Sequence, residues 1–210
     1  MRLHGYFRSS AAWRVRIALH LKGITAEHQF RHLRHGGQRA PDYLRLNPQG
    51  LVPALETDDG AVLTQSMAIC EYLDETHPEP PLLPGPPLHR ARIRAFAQVI
   101  ACDIHPVQNL KVLVRLRAMS FPEEEVTGWA RWVIQDGLEA CEALLEGGEG
   151  PFCFGATPTL ADICLIPQLG NARRFGADLG GLTRINAVAR ACADHPAFLA
   201  AAPERQADAE

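Results

Sequence analysis

The chain has 210 residues, 47% hydrophobic and 21% charged, the balance of an ordinary globular protein long enough to bury a core in one large domain or two small ones. Lys and Arg number 21 against 24 Asp and Glu, a net charge of −3, so no basic excess points to nucleic acid or an anionic membrane, and small metabolites are the default partners. The opening MRLHGYF is too short and too polar for a secretory signal, and no apolar run approaches the roughly 20 residues of a membrane span, so a cytoplasmic protein is expected.

MRLHGYF alternates Leu3, Gly5 and Phe7 against polar neighbours and reads as a strand. Trp13, Ile17, Leu19 and Leu21 then recur at helical spacing until Lys22 and Gly23 close a helix. Ser9 and Ser10 stand at the change from strand to helix, where two hydroxyls and free backbone amides converge on a place suited to an anionic sulfur or carboxylate. Simple helix capping needs only one hydroxyl.

Residues 26–33 read weakly as a second strand, followed by a loop with Gly36 and Gly37 and a short helical piece near Pro41 to Leu46. LVPALET, then Asp58, Asp59 and Gly60, then AVLTQ form a hairpin, its turn supplied by the Asp-Gly pair. Val52-Pro53 stands at the hairpin entrance, where a cis proline would turn the Val52 N–H and C=O outward to take a peptide-like ligand as an added strand. Ser66 is the expected N-cap of a helix to about His77, and Gln65-Ser66 offers an amide and a hydroxyl to an α-carboxylate and its ammonium. The order is βαβαββα.

Residues 78–88, with six prolines and one glycine, cannot continue a helix or enter a central strand. They divide the chain into a first domain over 1–78, a linker over 79–88 and an all-helical second domain over 89–210. Helices are expected over roughly 88–119, 122–146, 159–173 and 184–194, with Thr159 and Asp162 spaced as a capping box and a frayed polar tail, APERQADAE. Cys70, Cys102, Cys141, Cys153, Cys164 and Cys192 show neither CxxC nor zinc-ligand spacing and read as buried thiols in a reducing compartment. No metal is expected. His28, His32, His35 and His89 lack partners at metal-ligand spacing and read as exposed; Cys102, three residues before His105, reads as a buried structural thiol.

The segments FRSSAAWRVRIAL, NPQGLVPAL, TQSMAICEYL, IHPVQNLKVL and TLADICLIPQLGNARRF, in this order, resemble the zeta-class glutathione transferases, the group that contains maleylacetoacetate and maleylpyruvate isomerases. The resemblance runs from Leu3 to about Pro196. VPAL and the QS pair mark only the superfamily, whereas SSxxWRVRIAL, PxQNLxVL and PQxxNARRF are far more specific.

The resemblance implies a thioredoxin-like α/β domain followed by an all-helical domain, a homodimer, and glutathione as cofactor. By it, Ser9 hydrogen-bonds the glutathione sulfur, and Ser10, Trp13 and Arg14 complete the motif. Val52 pairs through its backbone with the cysteinyl part, Pro53 is the cis proline, and Gln65 and Ser66 hold the γ-glutamyl end. Gln38 or Arg39 lies toward the glycine end. His105, Asn109 and Lys111 match positions that line the site on a helix above it, Arg174 matches a substrate-carboxylate arginine, and Arg8 stands beside the serines. As charges alone, Arg14, Arg16 and Arg173 read as solvated surface residues. One departure is plain: the family pattern SSCxW has Ala11 here in place of cysteine, followed by Ala12, so no protein thiol is available at that point for conjugating, peroxidase or dehalogenase side reactions.

The chemistry implied is reversible addition. A free thiol is a few per cent ionised at neutral pH, and hydrogen bonds from Ser9 and the helix start favour the nucleophilic thiolate. The thiolate would add to the cis double bond of a dicarboxylate, leave an enolate free to rotate about the new single bond, and depart from the trans product. Arg8 and Arg174, with Lys111 or His105, would hold the carboxylates. Two alternatives stay open at this point: a conjugating transferase or dehalogenase of small α-halo acids, and a noncatalytic glutathione-binding scaffold.

Overall fold

The computed structural model describes residues 1–210, which form two compact units, 1–82 with 194–210 and 83–193.

The first unit has the order β1 (Arg2–Gly5), α1 (Ser10–Leu21), β2 (Glu27–Phe30), α2 (Pro41–Leu46), β3 (Ala54–Glu56), β4 (Val62–Thr64) and α3 (Ser66–Thr76). The strands lie in the order β2-β1-β3-β4, with β2 parallel to β1 and the other pairings antiparallel. This is the expected βαβαββα arrangement. Strand alternation misleads at His4. Both faces of β1 are covered, so His4 is only 2% exposed although it faces away from Leu3. Its Nδ1 accepts from Arg31 Nε at 3.4 Å, which leaves Nε2 to meet Glu56 Oε1 at 2.6 Å.

The hairpin turn is also wider than the Asp-Gly pair suggests. Thr57 N–H reaches Ala61 O at 2.9 Å, Gly60 N–H reaches Thr57 O at 3.0 Å, and within the turn Gly60 alone takes a positive φ. Gly23, at φ +65°, follows the Lys22 C-cap in agreement with the sequence pattern.

The tail is not frayed: Asp208 accepts the Phe7 N–H at 3.0 Å and Gln206 Nε2 donates to Ala202 O at 2.9 Å. The helix α9 (Pro196–Ala201), counted after the helices of the second unit, belongs to the first unit and packs on α1. Arg16, expected to be solvated, is 3% exposed because the tail and the β1–α1 loop supply its acceptors: Nε donates to Ala201 O at 3.0 Å, Nη1 to Tyr6 O at 3.4 Å and Nη2 to Phe7 O at 3.0 Å. The last 17 residues therefore belong to the first unit and not to the helical domain to which the sequence assigned them. Part of the proline-rich run is fixed as well: Lys22 Nζ donates to Asp74 Oδ1 at 2.7 Å and Pro80 O at 2.5 Å, and Leu82 N–H donates to Asp74 at 2.7 Å.

The second unit contains α4 (Pro87–Gln98), α5 (Leu110–Ala118), α6 (Glu123–Leu144), α7 (Leu160–Phe175) and α8 (Thr183–Ala193). The single helix expected over 88–119 is broken. A π-helical segment, Val99–Ile104, interrupts it, with His105 N–H bonded to Ile100 O at 2.9 Å, and a turn carries the chain to α5. Ile104 lies so close to α6 that a Cβ at Gly137 would stand 2.3 Å from its Cγ1; only glycine allows this approach. The Thr159–Asp162 capping box is present: Asp162 accepts from Thr159 N–H at 2.8 Å, Thr159 Oγ1 at 2.9 Å and Cys153 N–H at 2.8 Å. No helix is long and apolar enough to cross a membrane.

Candidate active site

The first site element is the start of α1. Ser9 is its N-cap in extended conformation, and its Oγ accepts the Ala12 N–H at 3.2 Å. Capping uses a lone pair of that oxygen and leaves the hydroxyl proton to donate elsewhere. Ser9 is half-buried, Ser10 is buried within the first turn, and no acidic side chain occupies that turn, so the positive end of the helix is uncompensated. Arg8 is half-buried with its guanidinium over the Phe7 ring at 5.9 Å.

The second element is the loop from Asn47 to Pro53. Asn47 Oδ1 accepts from Gln49 N–H at 3.1 Å, and its Nδ2 donates to Leu51 O at 2.7 Å. The same carbonyl accepts from the Tyr43 hydroxyl at 2.5 Å, and burial pushes the Tyr43 phenol up to about 12, keeping it a neutral donor. The Val52-Pro53 peptide is cis, and neither the N–H nor the C=O of Val52 bonds within the chain. Gly50, at φ +60°, lets the Gln38-Arg39 segment press against the loop: a Cβ there would meet Arg39 Nη1 at 2.8 Å and Gln38 O at 3.0 Å. Arg39 is exposed, and Gln38 Oε1 is buried without a partner.

The third element is the start of α3. The cap is Gln65, one residue before the expected Ser66, because Ser66 already has helical geometry. Gln65 has φ +68°, a conformation that costs a non-glycine residue about 1–3 kcal/mol and is found where side chains must be aimed. Its exposed amide donates to Gln49 Oε1 at 2.9 Å, tying this corner to the Asn47–Pro53 loop. Ser66 is buried, and its Oγ accepts from Arg14 Nη1 at 3.3 Å. Arg14 is thus no solvated surface charge, being 2% exposed. Trp13 is half-buried.

The candidates of the helical unit fall on separate elements instead of one helix. Half-buried His105 follows the π-helical segment, Asn109 caps α5 by accepting Lys111 N–H at 3.0 Å, and Lys111 is exposed in the first turn of α5. Arg174 is exposed in the last turn of α7, touching Asn171 Oδ1, with its guanidinium 5.4 Å from the Phe175 ring centre. Phe175 packs against the cluster formed by Leu113, Val126 and Ala130 of α5 and α6.

None of the six cysteines forms a disulfide, and burial raises the thiols of Cys141, Cys153 and Cys192 out of the reactive range. Cys102 is exposed, contrary to expectation. Of the four histidines expected at the surface only His35 is fully exposed; His32 contacts Glu210, and His89 packs edge-on to Phe154. No group of His, Cys, Asp and Glu could hold a metal ion. Sequence reasoning missed Asn47, Tyr43 and Gln49. The Asn-Pro-x-Gly turn announces the first; nothing local announces the others.

A thioredoxin-like α/β unit with an unpaired backbone residue, Val52, before a cis proline, in a chain that also carries an all-helical unit, defines the glutathione transferase class of fold. Family models agree: the glutathione S-transferase N-terminal domain matches residues 8–76 and the C-terminal domain residues 133–200. Maleylacetoacetate isomerase of Pseudomonas aeruginosa is 48% identical over 210 residues, 99% of this chain and 98% of the relative. A holo structure of maleylpyruvate isomerase, a bacterial zeta-class glutathione S-transferase, superposes with a TM-score of 0.97 at 43% identity, each chain covered 100%. Maleylacetoacetate isomerase of Anaeromyxobacter dehalogenans, with dicarboxyethyl glutathione and citrate in its active site, gives a TM-score of 0.88 at 43% identity over 100% of this chain and 93% of that one. The chain belongs to the zeta class of the glutathione transferase family.

Proposed function

We propose that this protein is a glutathione-dependent cis–trans isomerase acting on maleylacetoacetate or maleylpyruvate, the substrates named for its relatives. The observation that carries the reading is Ser9, whose oxygen caps α1 while its proton is left to donate beside an uncompensated helix start. Glutathione fits the three elements in turn: its thiolate at Ser9 and Ser10, its cysteinyl backbone on Val52 next to Pro53, and its γ-glutamyl end at Gln65 and Ser66. Gln38 and Arg39 lie toward the glycine carboxylate. Lowering the thiol pKa by one corresponds to about 1.4 kcal/mol of thiolate stabilisation, within the reach of two or three donors.

The thiolate adds to one carbon of the cis double bond, and the electron pair moves onto the conjugated carbonyl as an enolate. Rotation about the resulting single bond and expulsion of the thiolate give the trans isomer and restore glutathione. Arg8 and Arg174, with Lys111 and His105, supply charge-assisted donors to the substrate carboxylates and the enolate oxygen, and Asn109 belongs to the same set. The dicarboxyethyl glutathione bound in the active site of the Anaeromyxobacter relative supports a site that takes glutathione and a diacid chain together. Ala11 does not disturb it, since glutathione brings its own sulfur. A homodimer in the cytoplasm belongs to the same reading, supported by the full-length likeness and by six thiols outside any disulfide.

The test is turnover of both diacids with and without glutathione, following free glutathione alongside product. Isomerisation that requires glutathione and leaves it undiminished is expected; stoichiometric consumption would assign conjugation instead. Ser9→Ala should keep glutathione binding and lose about a hundredfold in rate. An unchanged rate overturns the role of Ser9.

A further inference from the structure

A second basic cluster of the first unit lies outside the candidate active site. A cavity of about 270 Å³ opens between the second half of α1, the turn after it and the edge strand β2, lined by the apolar Leu19, Ile24 and Ala26 and by the basic Arg16, His20 and His28. Arg16 is 3% exposed and makes no ion pair: its three nitrogens donate to backbone carbonyls, which leaves one N–H on each Nη without an acceptor. The charges of Asp208 and Glu204 reach it, yet burial outweighs both and brings the guanidinium down to about 10. Burial, and after it the Arg16 charge, hold both imidazoles below 6.5; His20 also opposes the charged form of His28, and Asp208 favours it. Three basic groups therefore share one open space in which each opposes the others' charge, and a negative ligand converts that repulsion into attraction.

We infer that this cavity binds a small organic acid, its carboxylate received by Arg16, His20 and His28 and its apolar body by Leu19, Ile24 and Ala26. The volume lies just below the range of about 300–1,000 Å³ typical of pockets for drug-sized molecules, which suits a compact acid. A dianion such as phosphate fits less well, because Asp208 and Glu204 stand close enough to Arg16 to act on its charge. Without a ligand the imidazoles are mostly neutral at pH 7. An incoming carboxylate favours their protonated form, so each becomes a charge-assisted donor and binding takes up protons. Affinity therefore rises as pH falls through the imidazole range, where a carboxylate stays ionised. No lining residue belongs to the set assigned to glutathione or the diacid, and neither site depends on the other.

The probe is benzoate, with benzamide as its uncharged counterpart, titrated into the wild-type protein while NMR follows the ring C–H resonances of His20 and His28, each assigned from its single Gln variant. Benzoate should move both resonances and raise the midpoints of both imidazole titrations; benzamide should do neither. By calorimetry, benzoate should bind about tenfold more tightly at pH 5.5 than at pH 7.5. His20→Gln combined with His28→Gln should remove that pH dependence and weaken benzoate about tenfold at pH 5.5, with the isomerase rate unchanged. Resonances of His20 and His28 that ignore benzoate, or that respond equally to benzamide, overturn the inference. Benzoate affinity equal in the double variant and wild type overturns it too, and places the acid at the substrate arginines instead. Should the double variant fail to fold, the benzoate and benzamide titrations of wild type decide alone.

Discussion

The carboxylate of Asp208 accepts the backbone N–H of Phe7 at 3.0 Å, joining the end of the chain to the loop that delivers Ser9. Phe7 O is held by Arg16 and Ser9 N–H by Tyr6 O at 3.0 Å, so both sides of this short loop are tethered. Asp208→Ala would leave the Phe7 amide without its acceptor, at a cost of about 1–3 kcal/mol where that amide stays shielded from water. The expected result is a lower urea midpoint together with a reduced isomerase rate, because Ser9 is no longer fixed. Asp208→Asn, which retains an oxygen acceptor, should recover most of both. If Asp208→Ala is as stable and as active as wild type, the tether is dispensable.

Much of the first unit was legible because its boundaries are written in local chemistry. Pro41 marks the start of α2, Gly23 ends α1, and Gly60 turns the hairpin. Burial depended on partners far away in sequence. Nothing near Arg14 or Arg16 reveals that Ser66 and Ala201 O await them, and alternation in β1 assumed one wet face where Leu3, His4 and Gly5 are all buried. The π-helical segment escaped notice since it keeps a helix-like hydrophobic pattern while shifting the turn by one residue. At the candidate site, the residue types in FRSS, LVP and QS pointed to anion and peptide binding. The support beneath them, Tyr43 and Asn47 on Leu51 O and Gln49 on Gln65, became visible only in three dimensions.

The pair formed by His4 and Glu56 gives the α/β unit an acid-side pH dependence. The hydrogen bond from buried His4, aided by the charge of Arg2, holds the Glu56 carboxyl below its ordinary value of 4.5. A carboxyl whose pKa is lower in the folded state binds fewer protons there than in the unfolded chain. Its stabilisation is therefore complete above pH 4.5 and is lost as pH falls through that value toward the lower folded one. In Glu56→Gln this part of the slope should vanish. Stability measured by urea unfolding from pH 6 to pH 3 should drop less steeply in the variant than in wild type, by about 1 kcal/mol or less, the scale of a partly exposed ion pair. Parallel profiles would show that the acid sensitivity arises elsewhere.

Arg174 and its neighbour Arg173 provide a matched pair for testing substrate recognition. Both are exposed in the last turn of α7, ahead of the Gly176 cap, and each favours the negative end of the helix by about 0.3–1 kcal/mol. Arg174 alone lies over the Phe175 ring and touches Asn171, contacts that hold its guanidinium in a defined position at the end of α7. If a planar, bidentate donor there receives a substrate carboxylate, Arg174→Ala should raise KM for the diacid about tenfold or more, with glutathione affinity unchanged. Arg174→Lys should recover only part, since an ammonium cannot reproduce the paired donors. Arg173→Ala should match Arg174→Ala in stability and leave KM at the wild-type value. Steady-state kinetics on the three variants at saturating glutathione decide the matter: equal KM values for Arg173→Ala and Arg174→Ala would remove Arg174 from the substrate site.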